Sequence, residues 1–308
     1  MKITNFLRRA LVLGVFSAPM LHGQTAIAWN STSGTTFSTG ANWTGGVAPA
    51  DSLSTNTASF TSFTGAVSPV LTASQSVAGL VFNSGGTGSV NFTLSGSATL
   101  TLGASGISTT AGSRTETISA PVALGAAQTW INTGTSGVLT VSGAVDLSSF
   151  ALSIQTGNSG TTSAINVTNT VSGTGSLAKS GGSTLTLSGA NTYSGGTTVS
   201  NGATSAAGTL NINNSGSGGT SSAIGTGTLT ISNTATLDNT SGSTVTLSTN
   251  NAQAWNANFT FTGTNSLNLG TGAITLGSTN TITVSANTLT AGGVVSGAFG
   301  LTKAGAGT

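Results

Sequence analysis

Apolar residues in this chain recur two at a time with a single polar residue between them. Leu185 and Leu187, Leu210 and Ile212, Leu229 and Ile231, Val245 and Leu247, and Ile282 and Val284 all follow that rule. Successive side chains of an extended strand point to opposite faces, so each pair lies on one face of a half-buried β-strand. Further short strands are predicted at residues 80–82, 90–94, 99–102, 138–141, 151–154 and 164–167. Gly181-Gly182, Gly195-Gly196 and Asn201-Gly202 fall between strands, where such dipeptides mark tight turns. The pattern predicts an all-β chain, essentially free of helix.

Longer regularities arrange these strands. The segment VSGTGSLAKSGGST at residues 171–184 returns as VSGAFGLTKAGAGT at residues 295–308, with Val171/Val295, Leu177/Leu301, Lys179/Lys303 and Gly181/Gly305 in matching positions. Upstream, AQTW at residues 127–130 returns as AQAW at residues 252–255. Self-similarity of this kind is the mark of stacked repeats. Two architectures accept the strand pattern, a parallel β-helix and an antiparallel sandwich or barrel, and only the first gives a direct reason for the long period. Coils of about 22 residues, about 4.8 Å apart, would make about 12 coils in a rod of about 60 Å. Residues 29–63 are richer in aromatics, with Trp29, Phe37, Trp43, Phe60 and Phe63. A repeat stack needs an atypical end unit, so this segment is read as an N-terminal β cap and residues 64–308 as the solenoid.

Composition narrows the functions. Only 3% of the 308 residues are charged, against about 25% in ordinary soluble domains. Abundant Gly and Ser also suit a disordered linker, but the regular Leu, Val, Ile and Phe positions argue for a packed core. Three of the basic residues, Lys2, Arg8 and Arg9, precede an apolar run at residues 10–18. That run is too short to cross a membrane and reads with its cationic start as a signal peptide over residues 1–28. Ala26-Ile27-Ala28 offers a small-residue cleavage pattern, with a cut near Gly23 or Gln24 as its competitor. Beyond the leader, Arg114, Lys179 and Lys303 face Asp51, Glu116, Asp146 and Asp238. No basic patch remains for phosphates, so nucleic-acid binding is excluded. The sequence has no Cys, so neither disulfides nor thiolate metal sites enter.

The run LAKSGGSTLTLSGANTYSGGTTVSNG at residues 177–202 closely resembles the autotransporter-associated β-strand repeat, also called the passenger-associated transport repeat. Leu177, Lys179, Gly181, the alternation from Thr184 to Gly189, and Asn191 through Val199 carry the likeness. Ser183 stands where that family usually has Gly, and residues 203–208 lengthen the next connection. The resemblance implies a right-handed parallel β-helix in a secreted or surface-displayed bacterial protein, often a passenger of type V secretion. Such passengers normally end in a membrane β-barrel, so membrane association is expected only through a segment not present in this chain. Residues 301–308 look like the first third of a second copy, and the chain is read as truncated there.

Candidate chemistry is sparse. His22 is the sole histidine and lies in the leader, so a Ser-His hydrolase lacks its base and His/Cys metal sites are excluded. The four acids are singletons along the sequence, and Arg114 with Glu116 reads as a surface ion pair on one strand face. An Arg-carboxylate lyase centre is the sharper alternative there. Lys179 and Lys303 read as solvated strand-edge residues. GTGSLA at residues 173–178 has a phosphate-loop spacing without a following helix. Trp130 and Trp255, matched in the echo, are the candidate ligand-binding residues, as glycan platforms, with core packing as the competing role. Tyr193 is expected to plug a corner. The expectation is a non-enzymatic, cofactor-free, exported β-helix stalk or passenger, secreted or held at the outer membrane surface. Its partner is a surface glycan or a host or cell-surface molecule. The alternatives are a glycan-binding adhesin and a polysaccharide-degrading β-helix enzyme.

Overall fold

The computed structural model describes residues 24–31, 35–61, 67–83, 91–110, 114–157, 162–201 and 208–308. Lys2, Arg8, Arg9, His22 and Phe63 lie outside them. The described chain is a β-solenoid of about nine turns. Its strands pair in parallel, in a fifteen-stranded sheet, a ten-stranded sheet and a three-stranded sheet. The expected antiparallel alternative is thereby set aside. Two short 3-10 turns, Gly40–Asn42 and Thr44–Gly46, are the helical elements among the described residues.

From strand Gln75–Asn83 onward each coil contributes one strand to each large sheet, and register carries the same inward position from coil to coil. On the larger sheet one inward ladder passes through Ile27, Ala58, Leu80, Ile107, Trp130, Ile154, Lys179, Val199, Ile231, Trp255 and Leu276. On the ten-stranded sheet the equivalent ladder passes through Phe92, Glu116, Leu139, Ile165, Leu185, Leu210, Leu237, Phe261 and Val284. Both ladders are apolar apart from one glutamate and one lysine, with a glycine-free run of branched and aromatic residues filling the column. Steps along the first ladder range from about 20 residues, Lys179 to Val199, to about 32, Val199 to Ile231. The ten steps from Ile27 to Leu276 cover 249 residues, about 25 each, so a uniform 22-residue coil is too short. The extra length lies in the connections, where added residues cost little loop entropy.

A third side of the column is built of pieces two or three residues long, of which the pair Val245/Leu247 alone was legible as a strand. Val122–Leu124, Val145–Asp146 and Val171–Ser172 pair in series early on. Val245–Thr246, Leu267–Asn268 and Leu289–Thr290 do so later. Between the two series the side continues through an antiparallel bridge, Asn191 to Ser222.

The two sequence echoes differ in what they repeat. AQTW and AQAW are in phase, since Trp130 and Trp255 occupy one ladder five coils apart. Each indole Nε1 donates to the Gln two residues before it, Gln128 at 3.0 Å and Gln253 at 3.1 Å. The longer echo is displaced by one side of the column. Leu177–Ser180 belongs to the larger sheet, whereas Leu301–Ala304 belongs to the ten-stranded one. What recurs there is a local hydrogen-bonding device rather than a place in the cross-section. The lysine ammonium bonds to the carbonyls one and two residues on, Ser180 and Gly181 in one copy and Ala304 and Gly305 in the other.

At the N-terminal end Trp29, Phe37, Trp43 and Phe60 are buried with Phe82 and Phe92 in one aromatic cluster. Trp43 meets Phe37 and Trp29 edge-on at 5.0 Å, the geometry that ring quadrupoles favour. Its Nε1 donates to the Phe37 carbonyl at 2.6 Å. Strand Asn56–Thr61, inside the expected cap segment, is also a member of the larger sheet. At the other end Val294, Phe299 and Leu301 are exposed.

Because inward and outward residues alternate, neighbours in sequence should differ sharply in cost. Leu185→Ala is expected to destabilise the column by about 2–5 kcal/mol, against about 0.5 kcal/mol or less for the outward Thr184→Ala. Urea or guanidinium unfolding followed by circular dichroism measures both, and equal losses would contradict the assignment of faces.

Candidate functional site

Residues 177–201 form one circuit of the column, and this circuit concentrates the unusual side chains. Strand Leu177–Ser180 enters with Leu177 and Lys179 inward. Gly181 then turns the corner at φ +84°, pressed so closely on the previous coil that an added Cβ would run into the Thr156 carbonyl oxygen. Strand Thr184–Leu187 follows with Leu185 and Leu187 inward. After a turn through Asn191 and Tyr193, strand Thr197–Val199 returns to the larger sheet with Val199 inward.

Lys179 is the largest departure from the expected picture. In place of a solvated edge residue it is 1% exposed. Its Nζ donates to the Gly181 carbonyl at 2.7 Å, the Ser180 carbonyl at 3.1 Å and the Thr156 hydroxyl at 3.2 Å. Three acceptors match the three donors of an ammonium. No ion pair to Lys179 is described, and burial alone lowers its pKa to about 7. Gly208 faces the ammonium, and any Cβ there would collide with Nζ. Lys303, with the same local bonds, is exposed, although it stands in register with the inward Ile282.

Arg114 and Glu116 correct a second expectation. They share a strand face, but both are buried rather than at the surface. Glu116 is in phase with Ile118 and points into the column. Burial raises its pKa to about 7, with a backbone hydrogen bond and the Arg114 charge pulling the other way. Its Oε2 has no hydrogen-bond partner among the described residues.

The remaining polar groups of the circuit hold coils together. Asn191, fully buried, accepts the Val171 N–H at 2.8 Å and donates to the Ala223 carbonyl at 2.6 Å. Its amide thus replaces a ladder rung where the third side has no strand. Tyr193 is fully buried as well, its ring against Gly225, and fills the corner as expected. Thr197 donates its hydroxyl proton to the Ile224 carbonyl at 3.0 Å, so the Tyr193 hydroxyl donates to Thr197 at 2.6 Å. Burial pushes the Tyr193 phenol up, out of reach of physiological titration. Ser183 is buried and takes a hydrogen bond from Ser163 at 3.1 Å.

Trp130 and Trp255 are 0% and 4% exposed. Both lie inside the column with their indole N–H groups satisfied, and Trp255 packs edge-on against Phe259 at 5.2 Å. Neither ring face is presented to solvent as a sugar platform. Three acids accept backbone N–H groups, Asp146 locally from Ser148, Asp51 from Ser76 a coil away, and Asp238 from both its neighbour Asn239 and Thr264 a coil away. The register places Glu116, Asp146 and Asp238 on different coils. No group of three or more metal-binding side chains occurs among the described residues. The spacing GTGSLA, residues 173–178, is a corner leading into a strand.

This circuit falls within a family match. Residues 177–205 match the family described as the passenger-associated-transport-repeat, so the chain carries a repeat of that kind folded as one coil of a β-solenoid. No curated protein and no solved structure matches the chain. Repeat and fold together fit an autotransporter passenger.

The two buried ionisable groups predict an unusual pH profile. Between 4.5 and about 7 the folded chain holds a proton on Glu116 that the unfolded chain has released, so stability falls as pH rises. Between about 7 and 10.5 the unfolded chain keeps a proton on Lys179 that the folded chain has lost, so stability rises again. Their sum is a trough near pH 7. Urea midpoints across pH 5–10 should show it, with Glu116→Gln flattening the acid limb and Lys179→Met the alkaline limb. A maximum at neutral pH that neither variant alters would contradict both burials.

Proposed function

We propose that this protein is an exported, non-enzymatic β-solenoid, the stalk or passenger of a bacterial cell-surface protein, and that it supports adhesion. The observation that carries the reading is the match to the passenger-associated repeat at residues 177–205, whose described part, residues 177–201, makes one circuit of the column. Its most reactive side chains, Lys179 and Tyr193, are spent on corner packing and sealed from solvent. Asp51, Asp146 and Asp238 are held by backbone N–H groups on separate parts of the column, an arrangement that favours support over paired-carboxylate hydrolysis.

A partner would meet the outward ladders. Thr209, Thr236, Thr260 and Thr283 stand in register on the ten-stranded sheet and are half-buried. They form a neutral column of hydroxyls, suited to hydrogen bonding with a surface glycan or an uncharged protein face. With the tryptophans inside, adhesion of this kind rests on extended polar contact rather than on aromatic stacking.

Cell fractionation and protease treatment of intact bacteria should find the protein at the surface or in the medium, without its leader. Retention in the cytoplasm would overturn the reading. Purified protein should release no reducing ends from a polysaccharide panel. An activity abolished by Asp146→Asn or Asp238→Asn would make it an enzyme.

A further inference from the structure

The export reading leaves open where the leader is cut, and the fold bears on it directly. Residues Ala26-Ile27-Ala28 look like a cleavage signal, yet they lie within strand Thr25–Ala28. That strand pairs along its whole length with Asn56–Thr61, Thr25 opposite Asn56 and Ala28 opposite Ser59. Asn56 Nδ2 donates to the Thr25 hydroxyl at 2.7 Å, and Ser105 Oγ donates to Gln24 Oε1 at 2.6 Å. Beyond the strand, the Trp29 N–H donates to the Ser59 carbonyl at 2.9 Å. The Trp29 ring is 3% exposed, between Trp43 and Phe60.

A cut after Ala28 would remove the first strand and turn the Trp29 N–H into an α-ammonium at a buried residue. An ionised group without a charged partner is costly in such a place. It would also bare the edge of Asn56–Thr61, where Ala58 is now fully buried. A cut ahead of Gln24 leaves every one of these contacts in place. The new ammonium then falls on Gln24, half-buried, one residue before the first register pair.

We propose that the leader is removed at or before the Gly23–Gln24 bond, so that Gln24–Ala28 persists in the exported protein as the first strand of the column. The proposal rests on the export reading above. Its test combines intact mass and N-terminal sequencing of exported protein with two leaderless chains, one starting at Gln24 and one at Trp29. The exported chain should begin at Gln24 or earlier. The Trp29 chain should melt at least about 5 °C below the Gln24 chain and bind more of an apolar dye. A first residue later than Gln24, or equal melting of the two chains, would overturn the cut. Exported material retaining Met1 would instead sink the leader itself.

Discussion

Every coil of this chain must return to the register of the coil before it. In a parallel stack the backbone N–H and C=O groups of one strand are satisfied by the next coil, and a slip of one residue would turn every inward side chain outward. The inner ladders show how far that rule reaches. It holds across connections of very different length, because length enters only the corners while the strands keep phase. It also explains why side chains are recruited wherever a rung is missing. Asn191 bonds Val171 on one side and Ala223 on the other, standing in for a strand between two coils.

The same rule sets the surroundings of the two ionisable residues inside. Once Leu177 and Ile118 are inward, Lys179 and Glu116, two positions away, are inward too. The column accommodates them differently. Lys179 is surrounded by three acceptors, and Gly208 leaves it room. Glu116 keeps an oxygen without a hydrogen-bond partner among the described residues, and burial raises its pKa to about 7. A lysine at the matching place of the longer echo is exposed. The recurring feature is therefore the corner that lysine ties; Lys303 itself stands in register with the inward Ile282, on the last described coil, where Leu301 is exposed with it.

Much of the fold was legible in the sequence because it depends on alternation. The pairs Leu185/Leu187, Leu210/Ile212 and Ile282/Val284 all point inward as their spacing requires. Burial of Lys179 and Glu116 was present in the same signal, and the misreading came from letting residue type outweigh phase. Of the third side only Val245/Leu247 was legible, because strands of two or three residues leave little periodicity to find. The tryptophans carried a usable cue, since Gln128-x-Trp130-x-Asn132 alternates in phase and puts the indole inside with its own acceptor. The offset of the longer echo left no mark in composition or spacing, since it concerns only where the coil stands when the motif recurs.

The in-phase echo offers the most direct measurement. Thr129 and Ala254 face outward on one ladder, five coils apart. The chain has no native cysteine to interfere with labelling. Spin labels on Thr129→Cys and Ala254→Cys should give a narrow electron–electron distance centred near about 24 Å, five steps of about 4.8 Å. A broad distribution, or a distance far from that value, would contradict the stacked column on which this account depends.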